Sequence, residues 1–282
     1  MSTGHGNHWG CLGKPVDDLL KEFLPLTIDK GKVGKIVFRT HTWFNRNPKR
    51  REALTEILYQ PKSLGCMVLF GSDTKEKVEA IYTGYPCSNV GSKHSLKIVE
   101  IRDWGNQAEG VLVCESQDGA LVSFFDTQYF SNQERYTVGE CYEFTLAGLI
   151  YSCRCTNDET IVIDEEARIR EFAETMNQSP DTRSDGTLEP IIIELRGCTG
   201  LTPESDEDPD DAEFNCVIGR VKQFELNGIS IFQITPKPNG EKIPMPGAIF
   251  GAASLFKDAY QPKVGDSIGG TLWLQGFLSE PK

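Results

Sequence analysis

One order of turns and short apolar runs occurs twice, and it constrains the fold more than anything else in the chain. Residues 109–148 read Glu109-Gly110, an apolar run Val111 to Cys114, Asp118-Gly119, and a second run Ala120 to Phe125. Val138-Gly139-Glu140 and Thr145-Leu-Ala-Gly148 follow. Residues 227–276 read Asn227-Gly228, Ile229 to Ile234, Asn239-Gly240 and Lys242-Ile-Pro-Met245. Val264-Gly265-Asp266 and Thr271-Leu-Trp-Leu-Gln-Gly276 follow. Asp-Gly and Asn-Gly tolerate the positive φ of a two-residue hairpin turn, and a glycine beside an acid between strands is turn chemistry. One more strand precedes each copy, Leu96 to Arg102 and Cys216 to Phe224. The first of these alternates poorly. A short helix over 253–260 is expected within the later crossing.

Three strands, a crossing and closing strands resemble the OB fold, a five-stranded barrel. The resemblance covers 95–156 and 214–280 and rests on pattern without a diagnostic motif. It implies an α+β, β-rich chain with two OB-like antiparallel small barrels and an N-terminal α+β region. It also implies barrel faces and loops that hold oligonucleotides or oligosaccharides. The expected segments are 1–92, 93–156 (first barrel), 157–213 (acidic helix and linker) and 214–282 (second barrel). The plainer reading is that any two antiparallel β-domains share hairpin turns and glycines.

Helices and strands alternate in the remainder. Val16, Leu19, Leu20, Phe23 and Leu24 repeat as one apolar helical face. A strand is expected near 33–44 and another near 66–71. Asn47-Pro48 reads as a cap and first residue opening a helix through Leu58. Asp164 reads as the cap of a helix with Ile169, Phe172, Ala173 and Met176 on one face.

Charge is concentrated. The formal net charge is −12, yet residues 1–92 carry +4 and residues 214–282 carry +2. Residues 93–156 carry −4 and residues 157–213 carry −14. The last segment ends in Thr202-Pro-Glu-Ser-Asp-Glu-Asp-Pro-Asp-Asp-Ala-Glu213, a self-repelling run that reads as a solvated loop or linker. Its aspartates do not make an EF-hand, because Asp211 stands where the turn glycine belongs and Val217 where the bidentate Glu belongs.

No apolar run reaches the length of a membrane span, and Met1 to His5 does not begin a signal peptide. Nine scattered cysteines then fit reduced thiols, so a cytoplasmic protein without membrane contact is expected. His5, His8 and Cys11 alone have ligand-like spacing. They lack a fourth ligand, so neither metal nor other cofactor is expected.

Sequence signatures of nucleophilic hydrolases, phosphate-binding loops and zinc proteases are missing. The most pointed stretch is Arg39-Thr-His41-Thr-Trp43-Phe44-Asn-Arg46-Asn-Pro-Lys49-Arg50-Arg51, where cations surround two aromatics. Single-stranded nucleic acid is held by such stacking beside cations; the alternative is a solvated helix start with Trp43 and Phe44 in the core. Arg220 and Lys222, with Phe224, form a second candidate face, while Phe232 and Trp273 read as core. Charge arithmetic favours a non-enzymatic protein that docks a partner protein. A single-strand nucleic-acid binder using 39–51 and a barrel face is the alternative, and an enzyme without a recognisable motif is the third.

Overall fold

The structure, a computed structural model, describes residues 8–39, 52–73, 79–104, 108–175, 177–238 and 243–279. It is β-rich, with three sheets among the described residues. After a 3-10 turn, His8–Leu12, helix α1 (Val16–Lys30) leads into an antiparallel meander. Its strands are β1 (Lys32–Arg39), β2 (Glu52–Tyr59), β3 (Leu64–Asp73) and β4 (Glu79–Ser88). The apolar face of α1 buries Leu19 and Phe23 in one cluster with Cys66 and Val68 of β3. Leu54 and Leu69 bury elsewhere, with Ala108 and Phe130.

The described part of the expected helix, Glu52 to Leu58, is instead in β2, hydrogen-bonded to both β1 and β3, and its Asn47-Pro48 opening lies outside the described residues. The misreading has a physical origin. A strand covered on both sides loses its alternation, and buried Leu54 and Ile57 then fall at a helical spacing. Pairing on both edges overrides the local preference.

The remaining chain builds a large mixed sheet. Its first four strands are β5 (Ser92–Asp103), β6 (Gly110–Ser116), β7 (Leu121–Asp126) and the long β8 (Cys141–Cys155). Short α2 (Tyr129–Asn132) lies between β7 and β8. After a ribbon of β9 (Thr160–Ile163) and β10 (Ile191–Glu194), flanking α3 (Glu166–Thr175), comes β11 (Gly200–Pro203). The second set is β12 (Asp211–Leu226), β13 (Ile229–Pro236), β14 (Ala248–Ala252) and β15 (Ser267–Leu278).

Pairings close two circuits that share two strands. One runs β5, β6, β7, β15, β8 and back to β5. The other runs β12, β13, β14, β8, β15 and back to β12. In each, the third strand lies parallel to the last strand of the other set, β7 beside β15 and β14 beside β8. The interiors form one cluster, in which Phe124 and Phe144 of one set accompany Phe214 and Phe232 of the other.

The two sets repeat in atomic detail at the Val-Gly-acid corners. Gly139 and Gly265 both have φ 92°. Gly139 N–H donates to Ile98 O at 2.8 Å, and Gly265 N–H to Ile218 O at 2.8 Å. Ile98 N–H returns to Glu140 O at 3.0 Å, and Ile218 N–H to Asp266 O at 2.9 Å. Each isoleucine precedes a register shift in its strand. A Cβ at either glycine would meet nothing within 4 Å, so an alanine there carries backbone strain alone. Gly139→Ala and Gly265→Ala are each expected to cost about 1–2 kcal/mol, with equal losses in urea denaturation.

The positive-φ hairpin pair is Asn227-Gly228, φ 48° and 72°, joining β12 to β13. The strand expected at Lys242–Met245 is displaced to β14, Ala248–Ala252. Pro244 and Pro246 explain the shift, since neither can donate to a ladder. Residues 239–242, including the expected Asn239-Gly240 turn, lie outside the described set. The helix expected at 253–260 is two single 3-10 turns, Ala253–Leu255 and Lys257–Ala259. No helix among the described residues is long and apolar enough to cross a membrane.

Candidate docking site: an anchored acidic loop

The acidic run is exposed from Thr202 to Asp208 and again at Glu213, and turns inward between them. Between β11 and β12, Glu204, Asp206, Glu207 and Asp208 are exposed, whereas Pro209 and Asp210 are buried. Asp210 is 5% exposed. Its Oδ2 accepts from Trp273 Nε1 at 2.7 Å, and its carbonyl accepts from Leu274 N–H at 2.7 Å. Asp211 Oδ1 accepts from the Tyr151 hydroxyl at 2.9 Å. Tyr151 oxygen in turn pairs with His8 Nδ1, and the His8 ring stacks on Trp273 at 4.0 Å and 10°. Tyr151 stands on β8, Trp273 on β15, and Asp211 opens β12, opposite Trp273 in the ladder. The shared strands therefore hold the foot of the loop.

Its upper part is also tied. Glu204 N–H donates to Asp211 O at 2.8 Å, Asp208 N–H to Ser205 Oγ at 3.0 Å, and Arg102 Nη1 to Asp206 O at 2.8 Å. The sheltered bond from Trp273 Nε1 to Asp210 at the foot contributes about 1.5–3 kcal/mol, which outweighs the repulsion among solvated carboxylates. Among the described residues none of the four exposed carboxylates has an ion-pair partner. Burial, with Asp210, Glu204 and Asp208 nearby, raises the Asp211 carboxyl to about 7 despite the Tyr151 hydrogen bond. Desolvation and Asp211 likewise push the Tyr151 phenol far up.

The other candidates are placed as follows. Arg39 ends β1, while His41, Trp43, Phe44, Arg46, Lys49, Arg50 and Arg51 lie outside the described residues. Arg220 and Lys222 are exposed on β12. Phe224, next on that face, is half-buried, lies edge-on to Phe250 and has Lys62 Nζ 5.6 Å from its centroid. Phe232 and Trp273 are core. His5 is outside the described residues, His8 engages Tyr151, and Cys11 is buried with its thiol pushed well up by desolvation.

Ser92 Oγ lies 2.7 Å from His94 Nε2, but both converge on Met245 O, at 2.7 and 3.0 Å. The pair fastens the 243–247 segment to β5. Sequence reasoning placed Trp273 in the core but missed its part as an anchor, together with Tyr151, Asp210 and Asp211. Their partners are about 60 residues apart or more, and no local spacing announces such a contact. No family model, curated protein or solved structure matches this chain.

Proposed function

We propose that this chain is a non-enzymatic binding protein that docks a basic segment of a partner protein on the loop Glu204–Asp208. The two strand circuits are read as OB-like barrels based on 93–156 and 214–282. Residues 157–213 supply the acidic insert, and residues 1–92 form a supporting α+β region. The observation that carries the reading is the fixity of the loop. Four unpaired carboxylates are held in one arrangement, so a basic partner meets them without the cost of ordering a free segment, and the field accelerates encounter.

The nucleic-acid alternative draws on exposed Arg220 and Lys222 beside Phe224, together with the basic-aromatic stretch 39–51. Fluorescence anisotropy separates the two readings. A labelled oligolysine peptide should bind in a salt-sensitive manner. The combined change Glu204→Gln, Asp206→Asn, Glu207→Gln, Asp208→Asn should weaken it roughly tenfold, at about 0.3–0.5 kcal/mol per rim charge. Salt-sensitive binding of a single-stranded oligonucleotide, abolished by Arg50→Glu with Arg51→Glu, would instead establish the alternative.

A further inference from the structure

We propose that a cleft beside the β9–β10 ribbon receives a primary ammonium group on an aliphatic stem, the side chain of a lysine in the basic partner. The inference rests on the docking reading above and gives it a specificity pocket. The cleft has a volume of about 250 Å³.

Its floor is a row of directly opposed residues across four strands. Ser152 of β8 faces Thr271 of β15, Thr271 faces Glu213 of β12, and Glu213 faces Thr202 of β11. Opposed side chains stand about 5 Å apart at Cβ, and Ser152 Oγ is 3.2 Å from Thr271 Oγ1. Strands lie about 4.8 Å apart, so Ser152 and Thr202 cannot serve one group, and the local set is the Glu213 carboxylate flanked by the Thr271 and Thr202 hydroxyls. An ammonium has three donors and no acceptor, which matches that set.

Charge points the same way. Arg154 also lines the cleft, but its Nε bonds both Glu159 oxygens at 2.9 and 3.0 Å, so its charge is balanced locally. Glu213 has no ion-pair partner among the described residues. The uncompensated charge facing the cleft is negative.

The walls suit a hydrocarbon stem. Ile161 of β9, 46% exposed, and Leu195 after β10 line one side. A lysine lays its methylenes along such a surface while its head stays polar. Gly200 keeps the space clear, since a Cβ there would touch nothing within 4 Å.

NMR titration of the full chain with N-acetyl-lysine N-methylamide tests the pocket against its norleucine counterpart, which keeps the stem and lacks the charge. Saturable shifts at Thr202, Glu213 and Thr271 are expected with the lysine compound only. Glu213→Gln should weaken binding roughly tenfold, and Gly200→Leu should block it by filling the space. Equal shifts from the norleucine compound, or unchanged affinity in Glu213→Gln, would overturn the proposal. So would shifts confined to 204–208.

The two readings fail separately. If the lysine compound titrates at Glu213 while the four-carboxylate variant keeps its oligolysine affinity, the pocket stands and the loop reading falls. If that variant loses oligolysine and the lysine compound does not titrate, the loop reading stands and the pocket falls.

Discussion

Trp273→Ala is expected to lower stability by about 3–5 kcal/mol, the range for truncating a fully enclosed aromatic. Trp273 is 0% exposed and sits where β15 pairs with β8 and with β12, opposite Leu149 and Asp211. Its ring packs on Phe125 at 5.0 Å and edge-on to Tyr85 at 6.3 Å, joining the shared strands to the meander. Truncation opens a void under three elements at once, and close-packed interiors collapse only partly around such a void. It also strips Asp210 of the indole donor and His8 of its stacking surface.

Trp273→Phe separates these effects. An aromatic remains, the N–H is gone, and the loss should fall to about 1–3 kcal/mol. In both variants the backbone of 204–211 should exchange amide hydrogens and accept protease cuts sooner than in the wild type, because its foot is no longer held. Urea denaturation followed by exchange mass spectrometry measures both. A loss under about 1 kcal/mol for Trp273→Ala would mean that the seam between the circuits does not depend on this side chain.

What could be read from the sequence was what the backbone demands locally. Gly139 and Gly265 are needed because their φ is 92°, and the Val-Gly-acid pattern shows that need without knowledge of partners. The α1 face at Leu19 and Phe23 was legible for the same reason, since one helix turn is a local object. The sharing of β8 and β15 was not legible. Their pairing joins residues over 100 positions apart, such as Gly148 and Leu274, and only their lengths of 15 and 12 residues hint at a double duty.

β2 was misread because both of its faces are covered, and β14 because two prolines move the strand beyond them. In the acidic run, composition correctly marks Glu204 to Asp208 as exposed. It is silent about Asp210, whose burial depends on an indole 63 positions away. The row Ser152, Thr271, Glu213, Thr202 is likewise a product of register, and a one-residue slip would dissolve it.

Acidification from about pH 8 to about pH 5 is expected to stabilise the protein, against the usual behaviour of salt-bridged carboxylates. Asp126 closes β7 opposite Gly276 and is fully buried. Desolvation raises its carboxyl to about 7, although Tyr136 OH donates to it at 2.5 Å and Gln128 N–H at 2.9 Å, and Glu56 raises it further. An unfolded aspartate titrates near 3.9. The folded state therefore holds the proton more tightly, so stability grows as pH falls from about 7 toward about 4 and is lost as pH rises through about 7. At about 1.36 kcal/mol per pH unit, the swing from Asp126 is about 4 kcal/mol at most. Asp211 adds to it in the same direction, reduced by its greater contact with solvent. Asp126→Asn retains an acceptor for Gln128 and cannot ionise, so its urea midpoint should vary far less over this range and should match or exceed the wild type at pH 8. A wild-type midpoint that falls on acidification from pH 8 to pH 6, with Asp126→Asn following it, would show that the carboxyl is already ionised within the fold.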